Sequence, residues 1–228
     1  MQNLNTVFLG VSKTVQKKFY LSVLKSLKDK YPILRIPCCG TFALAEIGLE
    51  AGYQPENIHS SDISLYSSLF GALVTRNRIW ELPFTLPPQY EELCNQRTDE
   101  VEQAAYIVWL MKTLQIRADV FYESAFDEYL YLTQEEIIRD LKAKLAAKMK
   151  KLGGIQYQIR DLRGVVYNPH PDTLTIIHAP AYAKGYEKQF SFGGQIRWNM
   201  TFEEFSFKSE FIPMYYESAN KERQMFIW

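Results

Sequence analysis

The sequence has no excess of charge of either sign: Lys and Arg together number 26, and so do Asp and Glu. A balanced chain has no protein-wide field to draw in a polyanion, so net charge gives a nucleic-acid partner no support, although a locally basic face would still serve. Cysteine is scarce too. Cys38 and Cys39 are adjacent and Cys94 is distant, which makes neither a disulfide framework nor a zinc pattern and points to a reducing cytoplasm. The three histidines, His59, His170 and His178, lack ligand spacing, so no metal is expected. There is no basic-then-apolar N-terminal stretch and no apolar run long enough to span a bilayer, hence no membrane role. Internal repeats and low-complexity segments are also missing. What remains, at 228 residues, is enough chain for one sizeable α/β domain, or a domain with an insertion.

Glycine is thin where it matters most. In Pro32–Asp62 an apolar run (Ile33, Leu34, Ile36) reaches a small-residue turn, Cys38-Cys39-Gly40-Thr41. A helical stretch, Phe42–Glu50, then closes at Gly52, and a short strand over Asn57–Ser61 ends on Asp62. Strand, turn, helix, strand and acid, with the acid about 20 residues past the turn glycine, is the layout of a βαβ unit that holds a nucleoside-bearing cofactor. Gly40 lets the backbone approach a ligand, the helix start offers N–H groups, and a strand-end carboxylate accepts ribose hydroxyls. The turn carries one glycine where such sites carry two or three, and Phe42 stands where a second is expected. An ordinary βα turn with Asp62 as a helix cap is the competing reading.

Around this unit the periodicity predicts helices. Val15, Phe19, Val23 and Leu27 mark one over Ser12–Lys30, stopped by Pro32. Leu65, Leu69 and Leu73 mark a second over Ile63–Val74, and Leu82–Pro88 reads as a surface loop. Asp99–Leu114 is helical, with Val101, Ala105, Val108 and Trp109 inward. Thr133-Gln134-Glu135-Glu136 matches a capping box opening a helix through Ile137, Leu141, Leu145 and Met149 to Gly153-Gly154. Lys142, Lys144, Lys148, Lys150 and Lys151 line that helix's other face, either solvated or set against nucleic acid. Residues 83–152 thus form a mainly helical insertion, with 1–82 and 153–228 the core. The strand pattern resumes at Ile155–Ile159 and leads to Asp161, a second strand-end acid, so Cys38, Gly40, Asp62 and Asp161 are the candidate cofactor-binding residues.

Asp172–Tyr182, DTLTIIHAPAY, followed by Lys184-Gly185-Tyr186-Glu187, carries the second chemical signal. Together with the cofactor turn and the two strand-end acids it resembles Rossmann-fold S-adenosylmethionine-dependent DNA methyltransferases of the amino-methylating kind. Within them it is similar to phage-type adenine methyltransferases regarded as antirestriction enzymes. The resemblance implies an α/β doubly wound sheet, S-adenosylmethionine as cofactor and DNA as substrate. In that family a polar residue and a proline carbonyl bind the exocyclic amine of a flipped-out base, and an aromatic stacks on it. Here Pro180 and Tyr182 match the first proline and the aromatic, whereas Ala179 and Ala181 stand at the polar residue and the second proline. His178 is either a strand-end residue or a substitute for the missing acceptor, so the candidate catalytic set is His178, Ala179, Pro180 and Tyr182. Arg35-Ile36 lies where the family often has an acid. The following segment, Ala183–Asn199, interleaves aromatics with basic residues, which suits contact with an unstacked base or a lid over the site.

The first expectation is therefore an S-adenosylmethionine-dependent DNA adenine methyltransferase of phage or mobile-element type. The alternative is a catalytically inactive relative that binds nucleic acid or a partner. A methyltransferase acting on a small molecule or protein fits the Pro-x-Tyr turn less well. Gln224–Trp228 reads as the fifth strand of the sheet, after which the family adds a helix and an antiparallel pair. A sheet lacking those last strands predicts an edge completed by a second copy or a separate polypeptide.

Overall fold

The computed structural model describes residues 14–117, 123–166, 172–177, 195–200, 210, 213, 216 and 225–227. Five strands make the central sheet: β1 (Ile33–Pro37), β2 (Ile58–Asp62), β4 (Gln156–Ile159), β5 (Thr173–Ile176) and β7 (Met225–Ile227). Two short strands, β3 (Phe84–Thr85) and β6 (Arg197–Trp198), pair antiparallel beside it. The central order is β4-β2-β1-β5-β7 and each adjacent pair is parallel. The chain moves outward from β1 through β2 to β4, then returns to β5 on the opposite side of β1. This Rossmann-like order reverses between β1 and β5, and in such sheets the ligand crevice opens outside the carboxyl ends at that reversal. β7 is the outermost strand next to β5 among the described residues.

Leu34, Ile36 and Ile58 are fully buried at the centre of the sheet, as expected of strands covered on both faces. Helices α1 (Thr14–Leu27) and α2 (Ala43–Ala51) pack together, while α3 (Leu65–Thr75) lies on β4. Between β3 and β4 come α4 (Pro88–Asn95), α5 (Glu100–Arg117) and α6 (Glu123–Leu152), and α7 (Leu162–Val166) follows β4. The 30-residue α6 packs along α5 and reaches both α2 and α3.

Four local expectations change. The buried face of α1 centres on Tyr20 and Leu24, with Phe19 55% exposed, because packing on α2 selects the next row of the helix. Leu82–Pro88 contains β3, whose Phe84 and Thr85 pair with Trp198 and Arg197. α3 is buried almost all round, Phe70 and Val74 as well as the leucines, since α5 and α6 cover the side that periodicity leaves to solvent. The Thr133–Glu136 box caps nothing: α6 runs through it, and Glu135 turns sideways to take both terminal nitrogens of Arg97 at 2.7 and 2.8 Å.

Candidate functional site

The turn after β1 is held in a conformation that glycine adopts freely and other residues resist. Cys38, Gly40 and Phe42 all have left-handed backbones, with φ of 55°, 51° and 62°. The strain at Phe42 is offset by burial: its ring is sealed in the core, edge-on to Phe70 at 4.9 Å between centroids and tilted against Tyr157 at 5.6 Å. The turn is also closed by its own backbone. Cys39 N–H donates to the Ser61 carbonyl at 3.0 Å and Phe42 N–H to the Cys39 carbonyl at 2.8 Å.

Gly40 is gripped at both ends of its backbone. Its N–H donates to Asp62 Oδ2 at 2.9 Å, and its carbonyl accepts from Ser67 Oγ at 2.9 Å. Asp62, at the carboxyl end of β2 and 5% exposed, accepts from Ser64 N–H at 2.9 Å through its other oxygen. Ser64 is the N-cap of α3; its hydroxyl accepts from Ser67 N–H at 3.2 Å and donates to Ser67 Oγ at 2.7 Å. Asp62 is thus not the cap itself but the acid that ties the cap to the turn. Burial pushes its carboxyl above the usual range, and the N–H groups of Ser64 and Gly40 oppose that rise. The side chains of Ser64 and Ser67 oppose it as well, so the carboxylate is held within the turn and the start of α3.

Asp161, two residues past β4, accepts from the N–H and Nε of Arg163, each at 2.8 Å. Its charge and that of Asp62 both reach Cys38: burial first, and then these carboxylates, drive that thiol's pKa well up and keep it protonated. Burial does the same to Cys39. The structure therefore brings Cys38, Gly40, Asp62 and Asp161 together at the carboxyl ends of β1, β2 and β4. Tyr157 Oη donates to the Asp62 carbonyl at 3.2 Å and sits 3.0 Å from Ser68 Oγ, bracing the end of β2 from beneath. Arg35, within β1, is half-buried, and its guanidinium pKa is lowered by burial and by Arg160.

His178, Ala179, Pro180 and Tyr182 lie outside the described residues. Of the aromatic segment, Trp198 is not a loop residue free to meet a base: it sits in β6 and its indole N–H donates to the Ile63 carbonyl at 2.7 Å. The lysine face of α6 is largely occupied as well. Lys142 pairs with Asp99 and Glu102 at 2.7 and 2.8 Å, Lys144 with Asp140 at 2.5 Å, and Lys148 and Lys151 with Glu46 at 3.2 and 2.8 Å. Lys142 and Lys148 are partly buried in these pairs, whereas Lys144, Lys150 and Lys151 stay exposed, as a solvated face would be. Ser67 and Tyr157, which sequence reasoning passes over, and Lys148, which it reads only as part of a lysine stripe, also reach the turn or the end of β2. Only Ser67 had a legible signal, the Ser64-x-x-Ser67 spacing of an N-cap directly after the acid.

A parallel sheet reversing at β1, with a strained glycine turn at that reversal and an acid closing the next strand, defines a Rossmann-like α/β protein. The family model for phage DNA adenine methylase-like domain 1 matches residues 8–226, and the chain belongs to that family. No curated protein and no solved structure matches it.

Proposed function

We propose that the protein is an S-adenosylmethionine-dependent DNA adenine-N6 methyltransferase. The observation that carries the cofactor half of this reading is the Asp62–Gly40 pair. Three turn N–H groups (Cys39, Gly40, Phe42) are engaged within the protein, and two carboxylates stand at the strand ends. That donor set is poor for a pyrophosphate and suits a ligand with hydroxyl donors and positive charge, which S-adenosylmethionine is. Asp62 would accept from the ribose, with Asp161 at the neighbouring strand end and Cys38 and Gly40 forming the floor. When bound, the cofactor supplies the methyl group. The chain's own contribution is orientation: the turn, fixed at Gly40 from both sides, presents a rigid floor whose geometry need not reorganise on binding. DNA as substrate follows from the family, and Pro180 and Tyr182 are the residues we assign to the target base.

Isothermal titration with S-adenosylmethionine tests the reading. In Asp62→Ala, affinity should fall by a few kcal/mol, at about 1.5–3 kcal/mol for each hydrogen bond lost to a charged acceptor. Unchanged affinity in a variant with native circular dichroism would sink it. A second reading, a non-catalytic relative that binds nucleic acid or a partner, is favoured by one observation, the alanine at 179.

A further inference from the structure

Lys148 lies far along the chain from the turn, on α6, yet three of its contacts converge there. Its ammonium donates to the Thr41 carbonyl, within the turn itself. It pairs with Glu46, in the first turn of α2, at 3.2 Å, and it stands 5.8 Å from the centroid of the Phe70 ring, the ring that packs on Phe42. One cation therefore touches the turn's backbone, the helix that continues it and the aromatic that supports its strained residue. Lys151 pairs with Glu46 from the next turn of α6. The geometry points to Lys148 as a positioning residue for the cofactor turn. It pins from outside a loop that lacks the extra glycines to relax into shape unaided.

The charge is essential to this role. An ammonium offers three donors and can meet a carbonyl, a carboxylate and a ring face together, which no neutral side chain of similar length can. Because α6 is fastened to α5 through Lys142–Glu102 and to the segment before α5 through Arg97–Glu135, Lys148 also links these helices to the turn. Through Lys148, α6 then sets the shape of the proposed cofactor site. The cofactor consequence rests on the proposed function; the positioning role does not.

The test is amide hydrogen exchange on the full chain without cofactor, joined to titration with S-adenosylmethionine. In Lys148→Met, exchange at Cys39, Gly40 and Phe42 should quicken about tenfold while the β2 amides stay protected, and cofactor affinity should drop about tenfold. Lys148→Arg should restore most of both, and Lys144→Met, whose partner is on its own helix, should change neither. Unaltered exchange at the turn in Lys148→Met overturns the proposal, as does a Lys144→Met effect of equal size. Should Lys148→Met not fold, Lys148→Arg decides by itself: turn exchange within twofold of wild type supports the role, and full loss of protection overturns it. If exchange responds as stated but the wild type binds no S-adenosylmethionine, the positioning role stands and the methyltransferase reading falls.

Discussion

At the scale of single residues, the turn shows how left-handed positions are held without glycine. Cys38 and Phe42 hold left-handed backbones that cost an L-residue roughly 1–2 kcal/mol each. Replacing Cys38 by Gly removes that strain but frees the unfolded chain, so stability should change by less than about 1 kcal/mol. Phe42→Gly removes the same strain and also a wholly buried ring, worth roughly 3–5 kcal/mol, so a net loss of about 2–4 kcal/mol is expected in urea denaturation. A gain in Phe42→Gly would show that the ring is not the compensation. A phenylalanine in a glycine's place looks like decay in the sequence because the compensation, Phe70 and Tyr157, is distant in the chain. Ala179 raises the opposite question, whether a missing group has been replaced at all. If it has not, Ala179→Asp or Ala179→Asn should raise adenine methylation measured with labelled cofactor. Robust wild-type activity that falls on this substitution would mean that the chemistry is rebuilt around alanine.

At the scale of elements, α3 and α2 transmit what α6 and β4 impose. Gly71 on α3 lies so close to Tyr157 that an added Cβ would stand 2.2 Å from the ring. Gly71→Ala should therefore destabilise by about 1–3 kcal/mol and, by pushing Tyr157 off the Asp62 carbonyl, weaken cofactor binding too. Loss of stability with intact binding would separate the brace from the site. On α2, burial would raise the Glu46 carboxyl, but its bonds and charge pairing with Lys151 and Lys148 outweigh that and leave it below the usual range. A carboxylate depressed in the folded state contributes stability above its unfolded value, about pH 4.3, and loses that contribution as pH falls through its folded value. The melting-temperature advantage of wild type over Glu46→Gln should hold at pH 7 and shrink below about pH 4. A difference that is flat with pH would rule out the charge pairing as its source. The helices themselves were readable from period and punctuation, Gly52 and Gly153-Gly154 included. Their facings were less so, since α1 and α3 turn toward partners that no local window contains.

For the whole molecule, the turn-to-acid unit was legible because it is written within one consecutive stretch, Pro32–Asp62, whereas the strand order joins segments far apart in the chain. Grip and brace were not legible. Gly40 meets Ser67, Asp62 meets the Tyr157 hydroxyl, and Lys148 meets Thr41 only after distant segments fold together. Lys142 and Lys148 on α6 look solvated until α5 and α2 supply their carboxylates.

The reversal of the sheet at β1 also dictates an order of assembly. Leu34 pairs with Ile58 early in the chain, but its other neighbour is Leu174, and Thr175 waits in turn for Phe226. During synthesis β1 and β2 can associate once α2 is made, with Asp62 already reaching Gly40, whereas the second wall of the crevice arrives only after the long helices have left the ribosome. For that interval the nascent chain carries a β1 edge still waiting for β5. Its vulnerability to misassociation is concentrated at the strand that later anchors the finished site.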